Sequence, residues 1–186
     1  FEFLQNKYQL RKLNASQWRF MRMRPSNFPT LRIAQMADLI AREGRVFSRI
    51  LAAETVDEIK NLMKLVASVY WDDHFQFDKK SKGKPKKLGD EGINLIMINA
   101  ITQVLFAYGH FHSLEAVKEK ALMLLEALPA ENNSIVRKFD ETGIKSSQAL
   151  QSQALIHLKN HYCNARRCLE CRIGQLLVRT GEDFVS

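Results

Sequence analysis

The stretch from Ile93 to Tyr108 constrains this chain more than any other part of it. It reads Ile-Asn-Leu-Ile-Met-Ile-Asn-Ala-Ile-Thr-Gln-Val-Leu-Phe-Ala-Tyr and is apolar on nearly every side of a helical wheel. A helix that is hydrophobic all round belongs inside a core. This segment is therefore expected to be the spine of the fold, with Asn94, Asn99 and Gln103 needing hydrogen-bond partners wherever they are buried. The rest of the chain repeats the helical period. Pro29 suits a first helical position, and the segment 29–43 sets Leu31, Ile33, Ala34, Met36, Ala37 and Ile40 on a broad apolar face. Thr55 and Glu58 form a capping box opening a helix expected to reach Tyr70, with Val66 and Val69 inward. Helices also follow from Ser113, from Asn133 to a stop at Gly143, from Ser146 or Ser147 to about Tyr162, and over 169–179. No alternating strand pattern and no internal repeat interrupts them. The expected fold class is all-α: an irregular multi-helix bundle of about eight helices around the central apolar helix 93–108.

Length and composition narrow the class further. With 186 residues, 46% hydrophobic and 26% charged, one domain can bury a core without disulfide or metal. No apolar run is read as long enough to span a membrane, so no membrane partner is expected. The chain starts at Phe1 and shows no signal-peptide pattern, and it is expected to be a piece of a longer protein. The net charge is +8, and six lysines without an acid fall in one run: Lys79, Lys80, Lys82, Lys84, Lys86 and Lys87. That segment, 79–87, reads as a flexible loop. It is either a solvated insertion or a patch whose field attracts polyanions such as DNA or RNA.

Four clusters carry chemistry. Cys163, Cys168 and Cys171 are the three cysteines, an odd number better suited to a reducing, cytoplasmic compartment than to disulfides. With His161, or His157, as a fourth ligand they could hold zinc, or less readily an iron–sulfur cluster; the other reading is three thiols packed in a helical hairpin. Trp71 and His74, with Asp72 and Asp73, could form a general-base or metal site, although a packed helix end explains the same residues. His110 and His112 fall in an interhelical turn, where solvated histidines are the ordinary case. Arg19, Arg22 and Arg24, interleaved with Trp18, Phe20 and Phe28, suit phosphate contact and base stacking or an interface with an upstream domain.

Several blocks resemble a bacterial family, domain of unknown function 2851. They are Met23-Arg24-Pro25-x-Asn27-Phe28-Pro29-x-x-Arg32-Ile33-Ala34-Gln35, Tyr70-Trp71-x-x-His74, Leu88-Gly89, Leu105-Phe106-Ala107-Tyr108-Gly109, Leu128-Pro129-Ala130-Glu131-Asn132-Asn133, Ser152-Gln153-Ala154-Leu155 and Tyr162-Cys163-x-x-x-x-Cys168-Leu169-x-Cys171-x-Ile173-Gly174. The resemblance implies that the chain is the C-terminal half of the family's longer chain, behind an upstream half of nuclease-like appearance. The cysteine block also resembles the cluster loop of helix-hairpin-helix DNA glycosylases, with a shorter first spacing and without the fourth cysteine.

The function expected from these observations is a helical module, non-catalytic by itself, that binds nucleic acid or supports the upstream half of its own chain. The alternative is an interaction or assembly domain with a structural metal or thiol cluster, possible as a homo-oligomer.

Overall fold

The computed structural model describes residues 2–11, 14, 17–18, 20 and 24–180. Among these the chain is predominantly α-helical, with nine helices and one two-stranded sheet. In order they are α1 (Glu2–Tyr8), α2 (Pro29–Arg42), α3 (Val46–Ala52), α4 (Val56–Leu62), β1 (His74–Gln76), β2 (Lys79–Lys80), α5 (Asp90–Phe111), α6 (Glu115–Ala127), α7 (Ser134–Glu141), α8 (Ala149–His157, continued by a π-helical stretch Leu158–Cys163) and α9 (Arg172–Thr180). The chain forms two compact units: Phe1–Arg49 with Asn61–Gly89, and Ile50–Lys60 with Asp90–Ser186.

In the second unit, α5 supplies the core. Ile93, Met97, Ile98, Ile101 and Leu105 are buried, whereas Leu95, Val104 and Phe106 are about half exposed, so only one face of the apolar helix is covered. By length and composition this is a helix able to cross a membrane, 22 residues with a mean hydropathy of 1.4 over its best window, contrary to the expectation that no run qualifies. Its buried face is what a core helix shows. A π-helical stretch, Met97–Ile101, interrupts its middle, and Thr102 accounts for it. The Thr102 N–H bonds the Met97 carbonyl, five residues back, and its hydroxyl donates to the Ile98 carbonyl thus vacated, at 2.8 Å. Helix α6 packs along the second half of α5 and along α8, and α8 also meets α7. The turn from α5 to α6 is tight: a Cβ on Gly109 would lie 2.9 Å from the Lys118 nitrogen and 3.0 Å from the Leu114 carbonyl oxygen. Asn133 caps α7, accepting from the Ile135 and Val136 N–H groups at 3.0 Å each. The Lys120 ammonium donates to the carbonyls of Ile50, Leu51 and Ala53, which lack helical partners at the end of α3.

In the first unit, α2 packs on β1 and on a 3₁₀ turn, Pro25–Asn27. Its buried stripe is Leu31, Gln35 and Leu39; Ile33, Met36 and Ile40, expected inward, are more than half exposed. The capping box, whose residues belong to the second unit, forms as expected, with Glu58 N–H on the Thr55 hydroxyl at 3.2 Å and Glu54 N–H on the Glu58 carboxylate at 2.9 Å. Helix α4 nevertheless stops at Leu62 rather than near Tyr70. Beyond it, the backbone pairs with the lysine segment instead: Ala67 N–H donates to the Lys86 carbonyl at 3.2 Å, Leu88 N–H to the Leu65 carbonyl at 2.9 Å, and Val66 bridges Lys87. Val69 is consequently exposed. Leu31, Ala67 and Trp71 form the core cluster, with Ala34 and Phe75 against it.

Candidate nucleic-acid interface

The lysine segment runs over residues 79–87 and is held along its length. Lys79 and Lys80 form β2, paired with β1 through a two-residue turn, Phe77-Asp78. Asp78 takes the left-handed conformation (φ 58°) that Asp tolerates better than most residues, and its N–H reaches the Tyr70 hydroxyl at 3.3 Å. Further on, Ser81 N–H donates to the Asp73 carbonyl at 2.6 Å and Lys84 N–H to the Asp72 carbonyl at 2.8 Å. The Lys86 carbonyl accepts from Gln35 Nε2 at 3.1 Å as well as from Ala67.

Held this way, the six lysines divide. Lys79, Lys80, Lys82, Lys84 and Lys87 are exposed. Lys86 is only 4% exposed: its ammonium donates to the Asp72 carbonyl at 3.0 Å and lies 4.0 Å from the centre of the Phe75 ring. Lys86 is thus a strut, and the other five lysines face solvent. Arg24 is exposed; Arg19 and Arg22 lie outside the described residues. A guanidinium the sequence reading passed over, Arg32, is half-buried between two neutral amides, donating to Gln35 Oε1 at 2.9 Å and Asn27 Oδ1 at 2.6 Å. Burial pulls its pKa below the ordinary arginine value, though an arginine stays charged.

Charge follows the units. The first has 17 Lys and Arg against 6 Asp and Glu, a net +11; the second has 11 against 14, a net −3. The excess spread over the whole sequence as +8 is therefore a stronger excess confined to one unit.

Next to the lysines lies an aromatic surface. An open cavity of about 580 Å³ is lined by Trp18, Phe20, Trp71 and Phe77, with Ile33 and Ala37 from α2. Trp71 and Phe77 meet edge to face, centroids 5.2 Å apart, and Phe20 meets Phe28 likewise at 5.0 Å. His74 stacks on Tyr70 at 4.3 Å. It closes the 3₁₀ helix Val69–Asp73, as the packed-helix-end reading expected, and begins β1; its ring is buried, with Nδ1 2.9 Å from the Tyr70 carbonyl and 2.6 Å from Asp73 Oδ1. His74 and Asp73 do come together, in the role of a brace for the Tyr70 ring.

The sulfur cluster is in the second unit. Cys163 closes the π-helical stretch of α8; Cys168 and Cys171 sit in the turns before α9. All three are free thiols, Cys163 and Cys168 exposed and Cys171 partly buried. His161 stacks on His157, centroids 4.4 Å apart. Among the described residues no three His, Cys, Asp or Glu side chains are grouped closely enough to hold a metal ion. Gly174 has a steric role here, since a Cβ on it would meet the Cys168 carbonyl oxygen at 2.2 Å. His110 and His112 end α5, where His112 packs on Tyr108 at 4.4 Å.

No curated protein and no solved structure matches the chain. A family model described as protein of unknown function (DUF2851) matches residues 1–134, which takes in the whole of the first unit. The match lies on the first part of this chain, so the expected restriction to the family's C-terminal half is not borne out, and the blocks at 152–155 and 162–174 fall outside it. With 134 of its 186 residues matched, the chain belongs to the DUF2851 family.

Proposed function

We propose that the first unit is a nucleic-acid-binding module that works by holding phosphates, without catalysis of its own. The observation that carries this reading is the pinned lysine segment. Five exposed lysines stand on a backbone fixed by hydrogen bonds to Leu65, Ala67, Asp72, Asp73 and Gln35, within a unit of net +11. A flexible lysine loop loses conformational freedom when it grips a polyanion; a segment already ordered loses less, and more of the electrostatic attraction appears as affinity. Phosphate contact is independent of sequence and releases condensed counterions.

The test is the affinity of a labelled single-stranded oligonucleotide for the full chain, by fluorescence anisotropy across a salt series. For single strands the slope of log affinity against log salt is about 0.7 per neutralised phosphate. Changing Lys79, Lys80, Lys82, Lys84 and Lys87 together to alanine is expected to lower that slope by about 3.5 if each meets one phosphate. A wild-type affinity indifferent to salt would refute the reading, as would a variant with an unchanged slope.

A second reading, an assembly surface, is favoured by α2, whose Ile33, Met36 and Ile40 are more than half exposed along one side. Light scattering of the chain over a concentration series tests it: self-association that disappears in Met36→Lys supports it, and a monomer at every concentration counts against it.

A further inference from the structure

We propose that the aromatic cavity of the first unit receives an unpaired nucleobase, so that the lysine segment and the cavity together select single-stranded over duplex nucleic acid. This rests on the phosphate-binding reading and adds the substrate class to it.

The cavity has the size and lining for a flat heterocycle. Its volume of about 580 Å³ lies within the roughly 300–1,000 Å³ of small-molecule sites. Four of its walls are the rings of Trp18, Phe20, Trp71 and Phe77, and among the described residues no acid lines it. Rings offer stacking faces to any base, and stacking is tolerant of sequence because every base has a π-face.

Position ties the cavity to the lysines. Phe77 is in the turn of the β-hairpin, and Lys79 and Lys80 follow two and three residues later. Because the chain reverses at Phe77-Asp78, Lys79 lies opposite Gln76 and Lys80 opposite His74, so both lysines start close to Phe77 and their long side chains can adjust to the distance from a base to its neighbouring phosphates. Phe77 is 64% exposed and Trp71 only 7%, so the cavity has a fixed inner wall and a solvent-facing outer one. A base still paired in a duplex presents only its edge and cannot enter between rings; an unpaired base can. The net charge of +11 on the same unit favours a polyanionic owner of that base over an apolar protein segment.

The two tryptophans of the chain, Trp18 and Trp71, both line this cavity, so intrinsic fluorescence reports its occupation. The experiment compares the full chain's binding of oligothymidylate, an abasic oligodeoxynucleotide of the same length, and a duplex, following anisotropy and tryptophan emission together. One stacked base is expected to make oligothymidylate bind about 5- to 150-fold more tightly than the abasic strand, with saturable quenching that the abasic strand and the duplex do not produce. Phe77→Ala is expected to remove most of this preference and Phe77→Tyr to keep it. Equal binding of oligothymidylate and abasic strand without quenching overturns the base pocket and leaves the lysine reading intact. Absence of binding by all three probes overturns both.

Discussion

Replacing Gln35 by leucine tests the link between the fold and the interface. Gln35 is 2% exposed, accepts from the Arg32 guanidinium at 2.9 Å and donates to the Lys86 carbonyl at 3.1 Å. Leucine has nearly the same size and opens no cavity. The bond to Lys86 is neutral and contributes about 1 kcal/mol; the bond from the charged guanidinium contributes about 1.5–3 kcal/mol. Two effects reduce the loss. The Lys86 carbonyl keeps Ala67 as a partner, and leucine gains about 1 kcal/mol from burial. The expected net destabilisation of the first unit is about 2 kcal/mol. Both tryptophans lie in that unit, so urea unfolding followed by tryptophan emission reads it selectively, with an expected midpoint shift of about 1–2 M at the slope of a small domain. The variant keeps every positive charge. Its affinity for oligonucleotide is therefore expected to fall severalfold as the lysine segment loosens, while the salt slope stays that of wild type. A stability change below about 0.5 kcal/mol would show that Arg32 and Lys86 find other partners and that Gln35 does not pin the segment. A changed salt slope would show that it acts by altering which lysines meet phosphate.

The remaining predictions concern the second unit. Lys120→Met removes the cation that serves three carbonyls at the end of α3; water replaces part of the loss at this partly exposed position, so about 2 kcal/mol of destabilisation is expected by far-ultraviolet circular dichroism, and an unchanged unfolding midpoint would remove its bracing role. Gly109→Ala places a Cβ against the backbone of Lys118 and Leu114 and is expected to destabilise by about 1–3 kcal/mol; a stabilised variant would mean that the α5–α6 turn is looser than described. Titration of the native protein with a thiol reagent is expected to label three cysteines, Cys171 more slowly than Cys163 and Cys168. Labelling that reaches three only after a chelator is added would instead reveal a thiolate-bound metal.

Local physics was legible in the sequence. The π-stretch apart, the helix over Ile93–Tyr108 follows from its apolar run; the starts at Thr55 and Asn133 follow from side-chain oxygens that accept first-turn N–H groups, and the start at Pro29 from a residue with no N–H to satisfy. What the sequence could not show was which competitor would claim a backbone group. The residues after Leu62 repeat the helical period, yet their N–H and C=O groups pair with Lys86, Lys87 and Leu88, 19 to 23 positions away. The same pairing ordered a segment that composition alone reads as loose, buried Lys86 among its exposed neighbours, and turned Gln35 rather than Met36 toward the interior. The +8 of the chain is a property of composition; its concentration as +11 on one unit, beside an aromatic cavity, depends on which distant segments fold together. Propensity, capping and periodicity act within a few residues and can be read in order along the chain. Strand pairing and the burial of a single polar side chain are settled by partners far off in sequence, and only the tertiary structure names them.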